Sequence, residues 1–202
     1  MSTYQSARRQ QQAEATRRDI LRAARHLFAE RSYAGTSMGD IAREAGVAVQ
    51  TIYASCGSKR ELLVALVDVV DEEADVAALA RELAQSDDPH EIVALGARLT
   101  RQLHERSGDI VGTLLSASPV EPDVAEAAEE GKRRHREGTA RSAAKLEALG
   151  ALRDGITADE AGALIATLTW YPVYAQLTQE HGWSFDDCER WIATTLARTL
   201  LR

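Results

Sequence analysis

The sequence predicts an all-α protein, and three observations carry that expectation. Ala, Leu, Arg and Glu dominate the 202 residues, and these side chains lose least on entering a helix. Aromatic residues are only 5% of the chain, and the prolines number four. Apolar residues recur at three- and four-residue spacing in segment after segment. The length suits one ordinary domain, or a small domain joined to a larger one.

The tail through Gln12 is polar and basic, without periodic apolar positions, and is expected to be a flexible arm carrying Arg8 and Arg9. From 13 to 31, Ile20, Leu21, Ala24, Leu27 and Phe28 define the buried stripe of a first helix, with Arg17, Arg18, Arg22 and Arg25 on its other faces. Thr36 or Ser37 caps a short second helix, 38–45, which Gly46 ends. A third follows at about 49–55 and stops at Cys56-Gly57. The fourth is expected as one rod from 58 to about 84, with Leu62, Leu63, Leu66, Val69, Val70, Val76, Leu79 and Leu83 as its apolar positions. Further helices are expected at 89–106, 109–117, 122–150, 158–181 and 184–201, with joints at Gly108, Pro119 with Pro122, Gly150 to Gly155, and Gly182. That makes about nine helices, in a head of residues 1–60 and a body of residues 61–202.

The charge divides the same way. Residues 1–60 hold ten Lys/Arg against five Asp/Glu, whereas the remainder hold 14 against 26, so a head of +5 joins a body of −12. Phosphate contacts draw on local charge, so the head suits DNA and the body is repelled by it.

Two short helices joined through one glycine form a tight pair in which the second can lie in a major groove. That second helix is 49-VQTIYAS-55. Ile52 would pack with Ile41, Ala45 and Val47 over Leu27 and Phe28, leaving Gln50, Thr51, Tyr53 and Ala54 outward. Gln pairs with adenine, Thr meets a base edge or thymine methyl, and Tyr bonds a phosphate. The segment from Val47 to Ser58 has no positive charge, so affinity must come from neighbours: Lys59, Arg43 and the N-terminal arginines, Arg17 among them.

The stretch 20-ILRAARHLFAERSYAGTSMGDIAREAGVAVQTIYASCGSKRELLVAL-66 resembles the N-terminal region of TetR-type (tetracycline-repressor-like) regulators. Thr36 and Ser37 match that family's capping position; Ile41, Ala42, Ala45, Gly46 and Val47 match its helix-turn core. Thr51, Tyr53, Ser58, Lys59 and Leu62 match the recognition helix and the start of the next. Ala48 and Val49 depart from the usual small polar residue and lysine, and Cys56 stands in place of an aromatic. The resemblance implies an all-helical homodimer that binds a palindromic double-stranded DNA operator and is released by a small, largely apolar effector. It marks Thr36, Ser37, Thr51, Tyr53 and Lys59 as DNA contacts, and the outward face of the 49–55 helix and the neighbouring charges add Arg17, Arg43, Gln50 and Ala54. A constitutive or architectural DNA-binding regulator without an effector stays open beside it, as does, more remotely, an all-helical enzyme.

In the body, 164-LIATLTWYPVYAQLTQEHGWSFDDCERWIATTLARTLL-201 resembles the dimer-forming end of such chains. Leu164, Leu168, Trp191, Thr195, Leu196 and Thr199 are the expected interface. Trp170, Tyr171 and Tyr174 cluster around Pro172, which can kink a helix and open a pocket, and are the candidate effector residues; core packing is the competing reading. The run 132-KRRHRE-137 lies beside 126-EAAEEG-131 and is expected to be an ion-paired helix face.

Other functions find little support. His26, His90, His104, His135 and His181 lack metal spacing, and no nucleophile elbow, phosphate loop or carboxylate pair stands out, so neither metal, cofactor nor catalysis is expected. Two cysteines, no apolar leader and no run of about 18 apolar residues point to a cytoplasmic chain without membrane contact. Cys56 is expected to be a small buried hydrophobe, with a redox role as the other reading.

Overall fold

The computed structural model describes residues 2–73, 76–119 and 121–202, the side chains at 2–7, 67–73 and 123 excepted. The class is all-α. Among the described residues ten α-helices follow in order: α1 Ser2–Arg31, α2 Met38–Ala45, α3 Val49–Cys56, α4 Lys59–Glu73, α5 Val76–Gln85, α6 Pro89–Ala117, α7 Pro122–Ala148, α8 Ala158–Leu168, α9 Tyr171–Ala175 and α10 Phe185–Leu200. A single π-helical turn, Gln176–Glu180, continues α9.

Three expectations are corrected. Residues 2–12, expected as a flexible arm, are helical and belong to α1. They contain neither Gly nor Pro, and extending an existing helix avoids the cost of nucleation. The expected rod at 58–84 is described as α4 and α5; residues 74 and 75, and the side chains of Val69 and Val70, lie outside the described residues. The joint expected at Gly108 is absent, because α6 runs through it. An internal glycine costs a helix only about 1 kcal/mol, and here it has a packing use: a Cβ at Gly108 would lie 3.2 Å from Cε2 of Tyr171.

The helix expected at 158–181 breaks instead. α8 ends at Leu168, whose carbonyl would need the N–H that Pro172 lacks and would meet the proline ring. Pro172 then sits in the first turn of α9, where a missing N–H costs nothing. The Val173 N–H goes to the carbonyl of Trp170 (3.0 Å), which leaves the Thr169 carbonyl open to a side chain.

Two compact units emerge: Met1–Val69 with Asp109–Ala128, and Val70–Gly108 with Glu129–Arg202. In the first, α1, α2 and α3 touch pairwise. Ile20, Leu27, Phe28, Ile41, Ile52 and Leu62 are buried there. The Arg25 guanidinium grips Asp109 with two bonds, Nε to Oδ2 at 2.7 Å and Nη2 to Oδ1 at 2.9 Å.

The second unit is built on a core that α10 lines with Cys188, Ile192, Leu196 and Leu200, one residue per turn. Ile165 of α8, Ile92 of α6 and Leu146 of α7 complete it. Each such side chain contributes about 1.5–3 kcal/mol by leaving water. An isolated antiparallel bridge, Leu152 to Leu201, ties down the chain end.

Candidate nucleic-acid interface and effector cluster

The helix-turn-helix is held by caps. Ser37 Oγ accepts from the Asp40 N–H at 3.1 Å, while an Asp40 carboxylate oxygen accepts from the Ser37 N–H at 3.1 Å, a reciprocal capping box. The Ser37 hydroxyl and the Ser37 N–H both donate to the Asp40 carboxylate and, with Arg43 3.0 Å away, hold it below its usual range. α3 has no such cap, since Ala48 offers its helix start no side-chain oxygen. Its far end turns sharply at Gly57, with φ 76° and ψ −143°, close to a region reserved for glycine. A Cβ there would also lie 2.2 Å from Glu61 Oε2, the oxygen that accepts the Ser58 N–H at 2.7 Å and so caps α4.

On this frame α3 presents a neutral surface. Ile52 and Cys56 are buried, whereas Gln50, Tyr53 and Ala54 are exposed, Tyr53 at 56%, and Thr51 is half-buried. Burial pushes the Cys56 thiol up, which suits a small hydrophobe and not a reactive thiolate. Ser37 and Arg43 are exposed, and Lys59 is half-buried with its ammonium 4.1 Å from the centre of the Tyr33 ring. That ring, itself against Phe28, holds Lys59 in place by a cation–π contact.

Two expected DNA contacts are placed otherwise. Thr36 is only 2% exposed, and its hydroxyl is shared between the carbonyls of Leu27 (3.1 Å) and Ser32 (2.9 Å). It fastens the end of α1 and has no surface to offer a phosphate. Replacing Thr36 by Val is therefore expected to cost about 1–3 kcal/mol of unfolding free energy, read by urea titration, because the hydroxyl is lost and the shape kept. A loss of DNA affinity with unchanged stability would restore the contact. Arg17, though exposed, is directed to α3, donating from Nη1 to the Ser55 carbonyl at 2.7 Å, where a cation also favours the helix end.

In the second unit the break after α8 assembles a polar and aromatic cluster. His104 of α6, 5% exposed, donates from Nε2 to the freed Thr169 carbonyl at 3.0 Å. Its ring lies 4.7 Å from that of Tyr174 and 5.6 Å from that of Tyr171. Tyr174 is buried, its hydroxyl 3.3 Å from Thr100 Oγ1. His135 of α7 donates to the Ala166 carbonyl at 3.0 Å and stacks at 5.2 Å on Trp170. Both histidines thus meet at Thr169, whose hydroxyl is 3.4 Å from His135 Nε2. Among the described residues no three potential metal ligands converge.

The expected interface residues separate into two sets. Leu164, Trp191 and Thr199 are exposed, Leu168 and Thr195 half-buried, and Trp183 stands edge-on to Trp191 at 5.8 Å. Leu196 is corrected: at 2% exposure it belongs to the core stripe of α10 and has nothing to give a partner. The basic run of α7 is paired within its own helix, Lys132 to Glu129, Arg133 to Glu130 and Glu137, and Arg134 to Glu130.

The pattern of bacterial regulatory proteins of the tetR family matches residues 20–66. Residues 20–66 are thus similar to the head of TetR-family regulators. The HTH-type transcriptional regulator TtgR of Pseudomonas putida is 39% identical over 82 residues, which are 41% of this chain and 39% of that protein. The chain thus spans well under half of the relatives it matches in sequence. At the level of fold the TetR likeness extends much further. NalD, described as the secondary repressor of the MexAB-OprM multidrug efflux pump in Pseudomonas aeruginosa, superimposes with a TM-score of 0.77 at 24% identity, over 95% of this chain and 98% of its own. A transcriptional regulator from Saccharomonospora viridis, solved in complex with choline, gives 0.72 at 24% identity over 94% and 99%. No helix among the described residues is long and apolar enough to cross a membrane.

Against the TetR-type frame, sequence reasoning missed the Tyr33 platform under Lys59 and the meeting of His104 with His135. Tyr33 lies outside every periodic stripe and the two histidines are 31 residues apart, so nothing local signalled either. The Ser37-x-x-Asp40 spacing was a signal, and it decides between Thr36 and Ser37 as the cap.

Proposed function

We propose that this chain is a cytoplasmic, homodimeric, sequence-specific DNA-binding transcriptional regulator, a repressor released from a palindromic operator by a small, largely apolar effector. The observation that carries the reading is the exposed neutral face of α3, with Gln50, Tyr53 and Ala54 on a capped frame and Arg43 exposed on the helix before it. Neutral amides and hydroxyls read base edges, while the cations supply phosphate attraction. The names of the relatives support regulation, that of NalD supports repression, and the choline complex supports a ligand held by this fold. In this reading residues 1–60 bind DNA, and residues 61–202 dimerise and hold the effector.

Dimerisation is supported by Leu164 of α8 and Trp191 and Thr199 of α10, whose exposure leaves apolar surface on helices of this body. A two-fold dimer places its reading helices on half-sites about 34 Å apart. An effector lowers affinity only by binding more tightly to the state with the wrong spacing.

The experiment is selection of bound duplexes from a random pool by the full chain, followed by titration of the winner at several salt concentrations. A two-fold-symmetric site bound in a salt-sensitive way is expected. Failure to enrich any sequence would refute specific recognition.

A further inference from the structure

Most buried hydroxyls of the second unit are satisfied locally. Thr100 bonds back to the carbonyls of Gly96 and Ala97, Thr139 to that of Arg136, and Thr169 to that of Ile165. Ser107 is the exception. It is 0% exposed, and its Oγ has no hydrogen-bond partner among the described residues. His104 Nδ1, three residues earlier on α6, is in the same position. Arg101 Nε, three residues before His104, is a third such atom, and since residues three apart share a helix face, all three lie along one side of α6. Buried polar groups without a protein partner are few in native structures, and each of these has bonding capacity left for a bound molecule.

Their chemistry is specific. The partner of His104 Nε2 is a carbonyl, which only accepts, so Nε2 carries the proton and Nδ1 is a bare lone pair. Burial holds the imidazolium form down, with a pKa of about 4, so near neutral pH this lone pair stays an acceptor. The Ser107 hydroxyl can donate. A single ligand O–H satisfies both, giving its proton to Nδ1 and receiving that of Ser107. The tyrosine rings beside His104 supply an aromatic wall, and Tyr171 lies directly over Gly108. Arg101, on the same side of α6, has its charge outnumbered by carboxylates, Asp186 at 2.7 Å, Glu105 at 3.3 Å and Glu189 at 3.9 Å, although its Nε makes no hydrogen bond.

We propose that His104 and Ser107 are the polar anchor of the effector site, and that the effector is an uncharged aromatic compound bearing a hydroxyl of phenol type. This rests on reading the body as effector-binding. The anchor separates an O–H ligand from its ether and from an anion of the same shape, since an ether cannot donate to Nδ1 and an anion finds no spare cation at Arg101.

The test titrates the full-length protein with 4-hexylphenol, its methyl ether and 4-hexylbenzoate, followed by calorimetry and tryptophan fluorescence. The phenol is expected to bind on the order of tenfold or more tightly than either analogue. Ser107→Ala should erase most of that preference and raise the Tm of the ligand-free protein by about 2–4 °C, since it removes an unsatisfied buried hydroxyl. A serine held for stability would shift Tm the other way. His104→Gln, which can keep the bond to Thr169, should erase the preference too; where it fails to fold, the serine variant decides. Equal binding of the three probes, or a preference that survives Ser107→Ala, overturns the proposal. The two readings fail separately. Operator release by other compounds without phenol preference refutes the anchor alone. Phenol-selective binding that leaves the operator occupied keeps the anchor and refutes the repressor mechanism.

Discussion

Acidification from pH 7 to 4.5 is expected to remove about 2–3 kcal/mol of folding stability through His104 alone. Burial is the main cause of its low pKa, about 4 against an ordinary 6.5; the bond to the Thr169 carbonyl opposes it and His135 adds to it. The unfolded chain therefore binds a proton at a pH where the native protein does not, so stability is full above pH 6.5 and falls as pH drops towards 4. Each unit of separation is worth about 1.4 kcal/mol, so the whole window amounts to about 3–4 kcal/mol. His135, lowered mainly by its own burial, pulls in the same direction. Urea titrations at pH 7, 5.5 and 4.5 on the native chain and His104→Gln isolate the effect, because carboxylates contribute to both alike. The variant should lose most of the slope between 6.5 and 4.5; an unchanged slope would show that His104 is not the titrating group.

The head was legible because its determinants are local. Caps at Ser37, breaks at Gly46 and Gly57, and an apolar stripe ending at Phe28 each follow from a few adjacent residues, and α2 and α3 fall within a residue of their expected bounds. The body was less legible because its joints depend on distant partners. Gly108 looked like a break until Tyr171, 63 residues later, was found against it. Pro172 looked like a kink, and it ends α8 outright because its effect falls on the carbonyl four residues earlier. Leu196 illustrates a further limit. In α10 the core stripe 188-192-196-200 and the outer stripe 191-195-199 are adjacent and both partly apolar, so periodicity alone does not say which one faces the solvent. The arm failed for the opposite reason: lacking an apolar stripe, residues 2–12 gave no packing signal, although their composition permits a helix.

Exchanging both Gln50 and Tyr53 for Ala is expected to weaken operator binding on the order of a hundredfold while leaving Tm and salt dependence unchanged. Both side chains are exposed, so neither supports the core. A Gln pair to adenine is worth about 1–3 kcal/mol and a hydroxyl bond to phosphate about 1 kcal/mol, which together approach two orders of magnitude. The single variants should differ in kind. Gln50→Ala should relax the preference at one base position, whereas Tyr53→Phe should weaken all sequences alike. Neither residue is charged, so neither displaces a counterion, and the slope of log K against log salt should hold. Arg43→Gln, in contrast, should reduce that slope by about 1 in each half-site. Lys59→Gln should do the same, provided its ammonium reaches a phosphate while seated on Tyr33. Titration of each variant at three salt concentrations separates the two classes. A changed slope in the Gln50 and Tyr53 variants would mean that the neutral helix α3 sets the charge contacts itself, against the division of specificity from affinity that its sequence implies.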